Sequence, residues 1–123
     1  MAKALGVGGI FFKSQNPGEL LGWYQKWLGF PSDFPSHVMF SPTTMPPNSC
    51  TVFSPFPSDT DYFEPSDQQF MFNLIVDNLA QALEQVKAGG ATLVGDIQSL
   101  DYGTFGWFVD PEGNKVELWE PSK

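Results

Sequence analysis

The sequence predicts an α+β fold in which one chain of 123 residues holds two similar units. An apolar run followed by a helical stretch occurs twice, and the chain closes with a strongly alternating hairpin. Asn16 and Asn78 lie 62 residues apart, and Gly29 and Gly90 lie 61 apart, so the offset is nearly constant. Because one such unit leaves a sheet face uncovered, the two units are expected to pack together.

The first unit starts with an apolar run at residues 7–12 and continues with a predicted helix at residues 18–28. Asn16 is a suitable N-cap, and Gly29 is a suitable residue after the helix end. Leucines and aromatic residues recur at helical spacing between these two signals, which indicates a helix with one buried face. Two further runs, at residues 37–41 and 49–56, predict strands separated by proline-rich turns.

The second unit repeats this order with a strand at residues 70–76 and a helix at residues 80–88, capped by Asp77. Short strands are predicted at residues 92–94, 104–109 and 115–120. Residues 57–67 are polar and contain proline, which is typical of a linker or of a loop over an enclosed site. We therefore expect one domain over residues 1–123, with a first module at 1–56, a linker at 57–67 and a second module at 68–123.

The last two strands form a hairpin around the turn Asp110-Pro111-Glu112-Gly113. Asp and Pro favour the start of such a turn, and Gly accepts a positive φ near its end. Alternation along the final strand places Lys115, Glu117 and Trp119 on one face. Glu117 is therefore either a solvated strand residue or the polar centre of a pocket.

Composition restricts the class of partner. The formal net charge is −8 and the pI is near 4.2, which disfavours nucleic acid and anionic membrane surfaces and is compatible with a cationic ligand. The single cysteine excludes an intramolecular disulfide and a cysteine-based metal cage. No apolar run is long enough for a membrane span, and no signal peptide is apparent, so we expect a cytoplasmic protein.

Three segments resemble the vicinal oxygen chelate superfamily of glyoxalase I, bleomycin-resistance proteins and extradiol dioxygenases. They are GWYQKWLGF at residues 22–30, VDNL at 76–79 with GGA at 89–91, and FVDPEGNKVELW at 108–119. The last segment is the most specific match. The resemblance implies two βαβββ modules whose sheet curls around a cleft, and usually a homodimer. In metal-dependent members it also implies four positions that converge on one divalent ion.

Three of those four positions lack a metal ligand in this sequence. The alignment places Gly9, Phe53 and Met71 at them and leaves Glu117 alone. Shifts of two residues keep a side chain on the same face, and they offer only Gln69 or Asn73 as weak donors. A divalent first-row ion needs three or more nitrogen or oxygen donors, so we expect no metal and no other cofactor.

The resemblance directs Glu117 into the cleft, where we interpret it as an isolated acid in an aromatic pocket. The sequence therefore predicts a small aromatic or cationic ligand with Glu117 as its polar anchor. Aromatic residues suit stacking on such a molecule, and Lys13 is expected at the cleft rim. One alternative is a lyase or isomerase with Glu117 as general base, helped by a weakly bound divalent metal; another is a non-enzymatic interaction domain with a vestigial cleft. The predicted cleft residues are Gly9, Phe11, Lys13, Phe53, Met71, Asn73, Phe105, Trp107, Glu117 and Trp119.

Neither the single histidine nor the single cysteine is expected to take part in catalysis. His37 is the only histidine and has no acid–base partner nearby in the sequence, so it is expected at the rim or in packing. Cys50 lies in an apolar run and is expected to be an inert small hydrophobic residue.

Overall fold

A computed structural model describes residues 1–123 of the chain. Two helices and four strands form a mixed α+β domain with one curled, unclosed sheet, which confirms the predicted fold class. The elements are α1 (Pro17–Leu28), a 3₁₀ turn (Pro42–Thr44), β1 (Phe72–Ile75), α2 (Leu79–Ala88), β2 (Thr92–Leu100), β3 (Gly103–Val109) and β4 (Lys115–Pro121). No helix has the length and apolar content that crossing a membrane requires.

The sheet has the order β1-β4-β3-β2. β1 runs parallel to β4, and the other neighbours are antiparallel. Each predicted strand of the second unit is present, and β2 extends well beyond the predicted residues 92–94 because it pairs with β3 as far as Leu100. The closing hairpin therefore lies in the interior of the sheet, where both of its strands are paired on each side.

Both helices begin at an asparagine. The Asn16 side chain accepts a hydrogen bond from the Glu19 amide at 3.2 Å, as predicted. At α2 the cap is Asn78, whose side chain accepts from the Gln81 amide at 3.0 Å, so the prediction of Asp77 was wrong by one residue. Gly29 ends α1 in the left-handed region at φ 64°, where glycine is strongly favoured.

The helices cover one face of the sheet. Val86, Phe108, Val116 and Leu118 are fully buried at this interface. Gly106 permits the close approach, because a Cβ at this position would lie 2.7 Å from a methyl of Leu83. The opposite face carries Lys115, Glu117 and Trp119, so the alternation in β4 separates the core from the candidate site.

The turn of the closing hairpin is tied to α1 by two carboxylates. Asp110 is buried and accepts hydrogen bonds from the Glu112 and Asn114 amides, the Asn114 side chain and the Tyr24 hydroxyl, at 2.8–2.9 Å. Burial raises the pKa of Tyr24, and the adjacent Asp110 raises it further. Glu112 accepts from the Ser14 hydroxyl at 2.7 Å and from two amides before α1, and the Ser14 bond lowers its pKa.

The first half of the chain differs from the sequence prediction. Its helix is present, but residues 7–12, 37–41 and 49–56 form no strand and join no sheet. A strand needs a partner for its backbone, and most of the 11 prolines lie between residues 31 and 65, where they remove N–H donors. These runs leave large apolar side chains exposed, among them Phe11 and Phe53.

Candidate functional site

The candidate site lies on the sheet face that the helices leave open. The strand register places Asn73 on β1, Glu117 on β4 and Trp107 on β3 in one row across three strands. Side chains opposite each other in neighbouring strands lie about 5 Å apart at Cβ, so the three polar groups can meet. The register alone therefore brings three of the predicted cleft residues together.

The Glu117 carboxylate accepts hydrogen bonds from three side chains. Oε2 accepts from the Tyr62 hydroxyl at 2.6 Å and from the Trp107 indole at 2.9 Å, while Oε1 accepts from the Asn73 amide at 2.7 Å. The interpretation of Glu117 as an isolated acid in an aromatic pocket was therefore wrong. It is a half-buried acceptor surrounded by donors of its own chain.

Tyr62 belongs to the segment at residues 57–67 and lies over the Glu117 row. Its ring stacks on Phe56 at a centroid distance of 5.6 Å and meets Trp107 edge-on at 6.4 Å. Partial burial and the hydrogen bond to Glu117 raise the pKa of Tyr62 to about 12. The hydroxyl thus stays protonated, and able to donate, across the physiological pH range.

Lys115 extends the polar group by one row along β4. It is 7% exposed, and its ammonium donates to the Tyr62 carbonyl at 2.6 Å and lies 5.1 Å from the Tyr62 ring centroid. Burial lowers the pKa of Lys115, whereas the negative charges of Glu117, Asp61 and Glu64 act in the opposite direction. Three acids around one lysine give this region a net negative charge.

An aromatic cluster borders the site on its other side. Phe105 and Trp119 stack face to face at 6.0 Å, and both are at least nine-tenths buried. The Trp119 indole donates to the Tyr102 carbonyl at 3.0 Å, and Met71 packs against this cluster. These three predicted cleft residues therefore form the packed floor of the open face.

The other predicted cleft residues lie in the first half of the chain, outside this group. Phe11 and Phe53 are 97% and 83% exposed, and a Cβ on Gly9 would meet only the Phe11 ring. Lys13 lines a polar groove of about 440 Å³ beside the closing hairpin turn, together with Glu112 and Gln68. The single chain does not bring these four residues to Glu117.

The donor set around Glu117 does not fit the divalent ion that the superfamily resemblance implies. No group of three or more His, Cys, Asp or Glu side chains in the chain could hold a metal ion. The groups that contact Glu117 are a phenol, an indole N–H and an amide NH₂, and all three face it as donors. A metal ligand must offer a lone pair, whereas these three groups direct their O–H and N–H donors at the Glu117 carboxylate, so they do not fit a divalent ion.

The sequence analysis did not identify Tyr62 as a site residue. It placed Lys115 on the same strand face as Glu117 but did not include Lys115 among the cleft residues. A signal for Tyr62 existed, because the sequence allowed residues 57–67 to be a loop over the site. His37 and Cys50 stand apart: His37 stacks on Phe34 at 4.7 Å, and Cys50 is exposed.

The sequence of the chain matches one known family over most of its length. The sequence model of the glyoxalase-like domain family matches residues 9–119. The chain belongs to this family, which confirms the resemblance to the vicinal oxygen chelate superfamily. No match is found among curated proteins.

Several solved bacterial structures also match parts of this chain. A member of the glyoxalase/bleomycin resistance protein/dioxygenase superfamily from Sphaerobacter thermophilus is 26% identical over 40% of this chain and 40% of its own, at a TM-score of 0.36. A hypothetical protein from S. aureus is 20% identical over 43% of this chain and 50% of its own, at 0.38. The chain thus spans half or less of these two proteins. An integron cassette protein from V. cholerae is 19% identical over 84% of both chains, at 0.47.

Proposed function

We propose that this glyoxalase-like protein binds a small aromatic molecule carrying an ammonium or hydroxyl group, without a metal ion or other cofactor, and that Glu117 is its polar anchor. The observation that supports the proposal is the Glu117 row on the open sheet face. It combines a carboxylate, an indole and a phenol ring within hydrogen-bonding distance. Such a combination of one charge and several aromatic groups is typical of small-molecule sites.

Glu117 has acceptor capacity left for a ligand. Each carboxylate oxygen can accept about two hydrogen bonds. Oε2 accepts two, from Tyr62 and Trp107, whereas Oε1 accepts only one, from Asn73. Because Asn73 is exposed, a ligand that reaches Oε1 from solvent can add a donor without breaking the existing bonds.

The charge around the site favours a cationic donor. Glu117, Asp61 and Glu64 all act on Lys115, so the region carries more negative than positive charge. The whole chain adds a formal net charge of −8, which attracts cations at long range. An ammonium group near Oε1 is attracted both by the negative charge of this region and by the net charge of the chain, whereas a carboxylate ligand is repelled by both.

A comparison of three matched probes tests this proposal. Benzylammonium, benzyl alcohol and benzoate share a ring and differ in the charge of the attached group. Calorimetric titration is expected to give the tightest binding for benzylammonium and none for benzoate, and Glu117→Gln is expected to weaken the benzylammonium affinity by about tenfold. Equal affinities for the three probes, or an unchanged affinity in Glu117→Gln, would refute Glu117 as the anchor.

The exposed apolar residues of the first half support a second part of the proposal, that two copies of the chain form a homodimer. The accessible surface of one chain is 8915 Å². A compact monomer of 13.6 kDa exposes about 6600 Å², so this chain has an excess of roughly 2300 Å². An excess of this size corresponds to the area that each partner buries in a large, permanent interface.

The exposed apolar side chains concentrate where the first half lacks strands. Ile10, Phe11, Val52 and Phe53 are all more than half exposed. Sedimentation equilibrium is expected to give about twice the chain mass of 13.6 kDa, and Phe53→Asp is expected to shift the protein towards the monomer. A monomer at all accessible concentrations would contradict this part of the proposal and leave the Glu117 anchor unaffected.

A further inference from the structure

Tyr62 is held at the open face in the way that a protein holds an aromatic ligand. Its hydroxyl donates to Glu117, its ring stacks on Phe56, and the Trp107 edge meets it at right angles. The Lys115 ammonium lies 5.1 Å from the ring centroid, within the range of a cation–π contact. The hydroxyl and the ring of this phenol therefore both have partners.

Tyr62 is not a core residue. It is 39% exposed, whereas the aromatic residues of the neighbouring cluster are at least nine-tenths buried. It belongs to neither of the two buried apolar clusters of the fold. A side chain with this environment can leave its position without opening the core.

Tyr62 also carries both hydrogen bonds that join residues 57–67 to the sheet. One runs from its hydroxyl to Glu117, and the other runs from Lys115 to its carbonyl. The remaining hydrogen bonds of the segment are local turns, such as those from Thr60 to Pro57 and from Glu64 to Asp61. The segment is thus hydrogen-bonded to the sheet at one residue.

We propose that the Glu117 row is a phenol-binding site, that Tyr62 is its internal occupant, and that a hydroxylated aromatic ligand binds by replacing Tyr62. This inference rests on the proposed function, because it uses the same Glu117 anchor, and it adds neutral phenols as a ligand class that reaches Oε2 after Tyr62 has left. A phenol suits the site because an O–H donor to a carboxylate makes a short, strong hydrogen bond, and the ring keeps the stacking and cation contacts.

An internal occupant lowers the apparent affinity of the free ligand. The ligand binds only to molecules in which Tyr62 has left, so the apparent dissociation constant rises by the inverse of that fraction. Removing the Tyr62 side chain is therefore expected to strengthen binding, which is the opposite of the effect expected for a residue that contacts the ligand directly.

The test uses p-cresol, which is the tyrosine side chain as a free molecule, and toluene, which lacks the hydroxyl. Binding to the full chain is measured by chemical-shift titration. Tyr62→Ala is expected to bind p-cresol about tenfold more tightly than the wild type and to prefer it to toluene by a similar factor. Adding Glu117→Gln to Tyr62→Ala is expected to remove most of that preference.

Phe63→Ala is the matched control, because Phe63 lies in the same segment and contacts Phe56 without contacting Glu117. It is expected to bind p-cresol as the wild type does. Circular dichroism checks that each variant is folded, and Tyr62→Phe, which keeps the ring, is expected to gain less affinity than Tyr62→Ala.

Two results would overturn the inference: Tyr62→Ala binding p-cresol no better than the wild type, or binding p-cresol and toluene alike. These failures are separate from failure of the proposed function. If wild-type protein binds benzylammonium through Glu117 while Tyr62→Ala gains nothing for p-cresol, then the anchor stands and Tyr62 is not its occupant.

Discussion

Replacing Glu117 measures how much the three hydrogen bonds at the open face contribute to stability. In Glu117→Ala, Tyr62 and Asn73 can turn to water because both are exposed, but the indole N–H of Trp107 cannot, because Trp107 is only 7% exposed. A buried donor without a partner costs about 1–3 kcal/mol. The lost bonds to a charged acceptor add to this, so we expect Glu117→Ala to lower the free energy of unfolding by about 2–3 kcal/mol.

Glu117→Gln is expected to cost less, at about 1 kcal/mol. The glutamine oxygen can keep the bonds from Tyr62 and Trp107, and the exposed Asn73 can rotate to present its oxygen to the new amide. Only the contribution of the negative charge is then lost. Urea unfolding at a fixed protein concentration measures both variants, and Glu84→Gln, a charge change at an exposed helix position, serves as the control.

The result that would refute this reasoning is a gain in stability. An isolated acid in an apolar pocket is destabilised by burial, so its replacement by glutamine stabilises the fold. If Glu117→Gln unfolds at a higher urea concentration than the wild type, then the carboxylate is not the satisfied acceptor described above. A double-mutant cycle with Trp107→Phe gives an independent value for the indole bond.

Three further predictions concern other ionisable groups of the fold. Asp110→Ala is expected to lower the free energy of unfolding by about 1–3 kcal/mol in urea unfolding, because it leaves the buried Tyr24 hydroxyl without an acceptor; a cost below 1 kcal/mol would contradict this. The pKa of Glu112 in the folded protein lies below the ordinary value of 4.5. The stabilisation that its carboxylate provides is therefore present above pH 4.5 and is lost as the pH falls through the folded pKa. Glu112→Gln is thus expected to be less stable than the wild type at neutral pH and equally stable in strong acid; an equal deficit at both pH values would rule this out. Because the pKa of Tyr62 is raised, the contribution of its protonated hydroxyl to the stability of the fold is complete below pH 10 and is lost as the pH rises through about 12. Ultraviolet titration is expected to show one tyrosine ionising near 12 that is missing in Tyr62→Phe, and identical curves for the two proteins would exclude it.

Local signals in the sequence predicted the second half of the chain well. Alternation in β4 separated Val116 and Leu118 from Glu117, and the turn at Asp110 formed as its residue types indicate. These features depend on neighbouring residues, whose spacing is visible in the sequence. The cap at α2 was misplaced by one residue because Asp77 and Asn78 are both suitable caps.

The first half was predicted less well because strands depend on partners distant in the sequence. The apolar content of residues 7–12 and 49–56 is typical of strands. Their composition does not determine which other strand would pair with them. The same limit applies to the site. The superfamily resemblance placed Asn73 and Trp107 in the same cleft as Glu117, and the strand register brings them together. The Tyr62 contact spans a loop whose path no periodic pattern describes.

The central claim, that the Glu117 row binds a small aromatic ligand, is tested most directly by the indole N–H signals in a nitrogen–proton correlation spectrum. The chain has four tryptophans, and Trp107→Phe assigns the signal that belongs to the site. Titration with benzylammonium is expected to shift the Trp107 signal to saturation, to leave those of Trp23 and Trp27 unchanged, and to have little effect in Glu117→Gln. Absence of any shift at Trp107, or equal shifts at all four indoles, would contradict the claim.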